Sequence, residues 1–231
     1  MAGHPITEEN TMSALTAPPA AIAGHEPLAE TVHPDMGSIA GFPDTDTDTA
    51  YEQRRQLETD LLVALSWAPA DMVAAIVHAL LGDLAHRVAT AGNPPDRIPA
   101  THPLFCDHAA ATVFAAIVEL VDTGRPVTPA TITAHLGQDG HTRAVRHLLL
   151  ELTSPSGRPP LPGSPEAPHL AIDLVDKWYR AGFIAFIDRL AHAAREARDN
   201  HELAAHRDHL IAISHTADHR RRTTTDDLAA L

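Results

Sequence analysis

Seventeen histidines in a chain of 231 residues make metal binding the first chemistry to test. His206 and His209 stand at i, i+3, and His215 and His219 at i, i+4, so each pair would share a helix face, as zinc ligands can. Neither pair lies in an HExxH motif, and the single cysteine, Cys106, leaves no Cys pair to complete a site. Lysine occurs once, at Lys177, in a chain rich in Arg and Ala. Histidine substituting for surface lysine is the better reading. No metal and no cofactor is expected.

The other candidate chemistries are weaker. Cys106 lies between His102 and His108, but a nucleophilic thiol needs a lowered pKa and an oriented base. The spacing supplies neither, and Cys106 reads as a small packing residue near a helix start. Asp71 with Asp83, and Asp173 with Asp176, are the carboxylate pairs to consider. Asp71 reads as a helix cap and the others as solvated helix faces. Ser66 and Ser214 lack a G-x-S-x-G context. No G-x-x-x-x-G-K-[ST] occurs, and Lys177 sits beside Trp178 with no Gly-rich loop. The chain reads as non-enzymatic, with no catalytic residue.

The aromatics carry the sharper signal. Four of the nine, Trp178, Tyr179, Phe183 and Phe186, fall between positions 178 and 186. On a helix, Trp178 and Phe186 nearly share a face with Val175 and Leu190, while Tyr179, Phe183 and Ile187 make an adjacent row. One partner helix cannot cover both rows. They pack either on a globular body or on another polypeptide, where aromatic anchors are common. The candidate self-association or partner surface is thus Val175, Trp178, Tyr179, Phe183, Phe186, Ile187 and Leu190.

The elements that must position this surface are helical. Strand formers rarely alternate, so an all-α fold is expected. Order begins near Tyr51, with Leu57, Leu61, Leu62 and Leu65 on one face and Pro69 as a limit. Asp71 would cap "MVAAIVHALLGDL", whose stripe runs through Met72, Ile76, Val77, Leu80, Leu81 and Leu84. "HPLFCDHAAATVFAAIVELVDTGRPVTPATITAHL" (102–136) spells a helix, a left-handed stop at Gly124, a block at Pro126, and a second helix capped by Thr128 with Pro129 first. That second helix ends at Gly137, and a third runs through "HTRAVRHLLLELT". A globular helical subdomain over 51–153 follows. Residues 154–168 read as a Pro-rich loop. Residues 169–219 read as a long antiparallel helical hairpin broken at Asp199 or Asn200, and 220–231 as a fraying end.

Charge limits the partners. The net charge is −13, and residues 1–50 contain no Arg or Lys. They read as an acidic, disordered tail, in which Leu28 and "MGSIAGF" could dock as a peptide. Arg220, Arg221 and Arg222 form the only basic run, read as a solvated end rather than a phosphate contact. Direct DNA binding is expected to be weak or absent. No secretory signal opens the sequence, and no uninterrupted apolar run reaches the ~20 residues of a membrane span. The expected location is cytoplasmic.

The ordered set of segments from about 54 to 215 resembles the N-terminal domain of DnaB-type replicative DNA helicases. The residues that carry the resemblance are "RRQLETDLLVALSW", where a Glu precedes paired leucines, then the 102–140 stretch, then "RHLLLELTSPS". Last comes "HLAIDLVDKWYRAGFIAFIDRLAHAAREA", with Arg180 at the family's usual Arg. The resemblance implies an all-α globular part followed by a helical hairpin. In that family the hairpins pair between subunits and help build a ring, and the domain meets primase and loading factors. The family's RecA-like motor has no counterpart here, so unwinding by this chain alone is not expected. The loops at 89–101 and 154–168 are longer than the family's, which bears on its partner contacts. The expected role is a replication accessory that self-associates as a dimer or higher oligomer and binds a replicative helicase, primase or loader. The alternative is a small helical DNA-binding regulator, although "PATITAHL" carries no Arg or Lys for base or phosphate contacts.

Overall fold

Leu61 through Ser66 are buried without interruption, so this stretch of helix is enclosed on every side rather than along one stripe. It belongs to α1 (Thr47–Trp67), the central element, against which α4, α6 and α7 all pack. The computed structural model describes residues 47–90, 97–98, 104–138, 140–155 and 160–231. The acidic tail and its docking peptide lie, apart from the last few residues, outside the described residues. Among the described residues the secondary structure is all helical: an all-α fold.

Two details of the first half differ from the sequence expectation. Helix α2 (Ala70–Leu81) is capped at Pro69, and Asp71 stands inside its first turn, where its Oδ1 meets the Met72 N–H at 3.0 Å. The apolar stripe does not continue to Leu84. Gly82 adopts φ 77°, a left-handed value suited to glycine, and ends α2. Asp83 then caps a new short helix, α3 (Leu84–Ala89), accepting the His86 N–H at 2.6 Å, and Leu84 is exposed. Ala70–Ala89 is apolar enough by length and composition to cross a bilayer, but Val73, Ile76, Val77 and Leu80 of that stretch lie in the protein core.

The corner at 102–136 follows the expected pattern. Asp107 caps α4 (His108–Asp122) by accepting the Ala109 N–H. At its end Gly124 takes φ 64° and the Arg125 N–H bonds the Leu120 carbonyl at 2.8 Å, a Schellman-type stop. Thr128 Oγ1 accepts the Thr131 N–H at 3.2 Å and starts α5 (Pro129–Gln138). Helix α5 runs one residue past Gly137. Helix α6 (Arg146–Thr153) closes the bundle, and the Trp67 indole N–H reaches the Leu152 carbonyl at 3.1 Å.

Helices α7 (Ala167–Glu196) and α8 (Asn200–Ala229) form the antiparallel hairpin. Asp199 caps α8, accepting the N–H groups of His201 and Glu202. The chain does not fray after 219. Helix α8 continues to Ala229 because its last turns pack on α2, with Thr224 and Leu228 buried and Asp227 paired to Arg97. The base of the hairpin is therefore part of the globular core, and the described residues form one compact unit. Past Gly182 on α7 and before Leu210 on α8 no residue is buried, so the far end of the hairpin stands clear of the bundle.

Candidate functional site

The seam of the hairpin is built first from spacing. On α7, Ala171, Val175, Trp178 and Gly182 recur at heptad intervals and are all buried. On α8, Leu210, Ala217 and Thr224 recur every seven residues, and Leu228 follows one turn on. Small residues at these positions let the helix axes approach closely. Arg221 stitches the outside of the seam. Its guanidinium lies 5.0 Å from the Tyr179 ring centroid and 3.4 Å from Asp176 Oδ1.

The seven residues expected to form one interface are divided by this arrangement. Val175 and Trp178 belong to the core, Trp178 being 2% exposed, and are not available to a partner. The physical reason is that the base of α7 packs on both α8 and α1, which takes these side chains into the shared core. Tyr179 is partly buried against the core. Phe186 and Leu190 are half-buried. Phe183 and Ile187 are exposed at 42% and 49%, and Ile184, which the aromatic pattern did not single out, at 40%. Tyr179, Phe183 and Phe186 form a short aromatic ladder, with centroids 6.3 Å and 5.7 Å apart. The outer surface of the arm thus carries Phe183, Ile184 and Ile187, and Ile211 of α8 is also exposed.

A second polar arrangement, unforeseen in the sequence, lies where α1 meets the start of α4. Glu58 is wholly buried, one turn after Arg54, whose Nε lies 3.2 Å from Glu58 Oε1. The carboxylate also accepts the Cys106 N–H at 2.6 Å and the Asp107 N–H at 3.1 Å, while Arg54 Nη2 donates to the Leu104 carbonyl at 2.9 Å. Burial, reinforced by the Glu58 charge, pushes the Cys106 thiol up to about 12, the reverse of what a nucleophile requires. The i, i+4 spacing of Arg54 and Glu58 beside paired leucines was the available sequence signal; their backbone partners some fifty residues on had none.

Other concavities offer little chemistry. A cleft of about 730 Å³ between α1, α6 and the start of α7 is lined by Glu52, Asp60, Glu151 and Glu166 with Arg55 and His147, and no Ser, Cys or Lys is among its described lining residues. His206, His209, His215 and His219 are exposed along α8, and no group of three or more His, Cys, Asp or Glu among the described residues is placed to hold a metal. The basic run is engaged in part: Arg221 bridges Asp176 and Asp218, and Arg222 lies 2.6 Å from Asp218. The protein is thus an all-α helical bundle bearing a two-helix arm. Comparison with known protein families, curated proteins and solved structures finds no match.

Proposed function

We propose that this chain is a non-enzymatic interaction module of DNA replication, assembling through the outer face of its α7–α8 arm. The observation that carries the reading is the exposure of Phe183, Ile184 and Ile187 on a helix whose opposite side is already satisfied by α8. Large apolar side chains held side by side on a projecting, regular element suit a partner surface. The placement of the arm after a small helical bundle is also what the resemblance to DnaB-type N-terminal domains implies. On that resemblance the partners are a second copy of the chain together with a replicative helicase, primase or loader, in a cytoplasmic setting. Partial neutralisation of the Arg220–Arg222 run and the acidic net charge favour protein partners over duplex DNA.

The test is sedimentation of the full chain over a wide concentration range, followed by binding titrations against the host replicative helicase, primase and loader. Self-association lost in Phe183→Asp and Ile187→Asp variants of unchanged helicity is the expected result. A wild-type chain that stays monomeric throughout and binds none of the three overturns the reading.

A further inference from the structure

The exposed face of α7 carries more than apolar groups. Asp173, Lys177, Arg180, Ile184, Asp188 and Arg195 follow one another at i+3 or i+4 intervals (Ala191 filling the one remaining step), and those six are all exposed. The spacing is the same read in either direction from Ile184. A second copy of the helix laid antiparallel about a twofold axis at Ile184 would therefore place the stripe against itself in register. The charges then match. Arg180 meets Asp188 and Asp173 meets Arg195, each pair twice by symmetry, while Lys177 meets the neutral Ala191 and Ile184 meets Ile184.

Neighbouring arrangements do worse. Sliding one heptad in one direction sets Asp173 opposite Asp188, and in the other sets Arg180 opposite Arg195. A parallel pairing in register opposes every charge to its like. Among the described residues, none of Asp173, Arg180, Asp188 and Arg195 has an ion-pair partner within its own chain, so these charges are available for contacts between chains. Asp173, Lys177 and Arg180 border a shallow concavity with Arg221 of α8, while Ile184, Asp188 and Arg195 lie farther out on the exposed face, where a second arm can approach.

We infer that the arm is a homodimerisation element in which two α7 helices pair antiparallel, with Ile184 on the twofold axis and reciprocal Arg180–Asp188 pairs fixing the register. This rests on the interaction-module reading and specifies the second copy as the occupant of the exposed face. Apolar contact at Ile184 and Ile187 supplies attraction, and the charges select the register and direction.

The experiment is sedimentation equilibrium on the full chain and on Arg180→Glu and Asp188→Arg variants, alone and mixed. Each single variant places like charges opposite twice and is expected to weaken self-association by about tenfold or more. An equimolar mixture of the two restores it. In the mixed dimer one contact joins the introduced glutamate of one chain to the introduced arginine of the other, and the second contact is the native Arg180–Asp188 pair. The double variant restores it as a homodimer with both pairs reversed. Helicity and thermal midpoint of each variant are measured alongside. A wild-type dimer unaffected by either reversal, or reversals that are not rescued by mixing, overturns this register but leaves assembly through the arm standing. A wild-type monomer at every concentration overturns the homodimer, and the interaction-module reading falls with it only where the helicase, primase and loader also fail to bind.

Discussion

The carboxylate of Glu58 accepts the backbone N–H of Cys106 at 2.6 Å, joining the middle of α1 to the segment that starts α4. The same carboxylate holds the Asp107 N–H, and Asp107 in turn caps α4. One buried side chain thus orients a segment far along the chain, and with it the helix that begins there.

Removing that carboxylate leaves a buried guanidinium at Arg54 and two amides without acceptors. Glu58→Ala is expected to destabilise the fold by about 3–5 kcal/mol, as for other broken buried ion pairs. Chemical denaturation monitored by circular dichroism measures it. A loss below about 1 kcal/mol, the size expected of an exposed i, i+4 pair, contradicts the network described.

The Cys106 thiol, raised to about 12 by burial and by Glu58, stays protonated at pH 8. Its alkylation by iodoacetamide in the native protein is expected to be at least about a hundredfold slower than in the denatured chain, since only the thiolate attacks. Equal rates in the two states would show that the thiol is neither shielded nor shifted.

Trp178 and Phe183 lie a little over one turn apart on α7 yet should respond in opposite ways. Trp178→Ala opens a cavity in the core and is expected to cost about 3–5 kcal/mol of folding stability. Phe183→Ala is expected to change stability by only about 0.5 kcal/mol, like other surface changes, while weakening association. Melting curves at low protein concentration separate the two effects, and similar losses for both would place Phe183 in the core.

At the turn of the hairpin, the Arg198 N–H and then its guanidinium hold the Glu202 carboxyl below its ordinary value. A carboxylate depressed in the folded state contributes stability above its unfolded pKa and loses it as pH falls through the folded value. Hydrogen exchange of the first turn of α8 is therefore expected to quicken in Glu202→Ala at pH 7. The difference from wild type should shrink once pH drops below the carboxylate range, after correction for intrinsic rates. A difference that persists unchanged at low pH removes the charge-based explanation.

The helices themselves were legible in the residues. Gly124, Pro126, Thr128 and Pro129 act through the backbone of their immediate neighbours, so the α4–α5 corner required no tertiary information. Asp199 capped α8 for the same reason. Where local signals competed, the expectation slipped: Gly82 with its left-handed backbone outweighed an apolar stripe that continued to Leu84.

What the sequence could not decide was which side of each helix would be covered. Periodicity identified two apolar rows on α7 but not that packing of its base on α1 and α8 would bury Trp178 and leave Phe183 and Ile187 outside. It assigned the last twelve residues to a fraying end, because a polar stretch has no local reason to stay helical; packing on α2 and burial of Leu228 supply the reason. Local chemistry sets φ and ψ over a few residues and so fixes where helices start and stop. Burial depends on groups distant in sequence, and only the folded arrangement brings Glu58 to Cys106 or closes α8 onto the core.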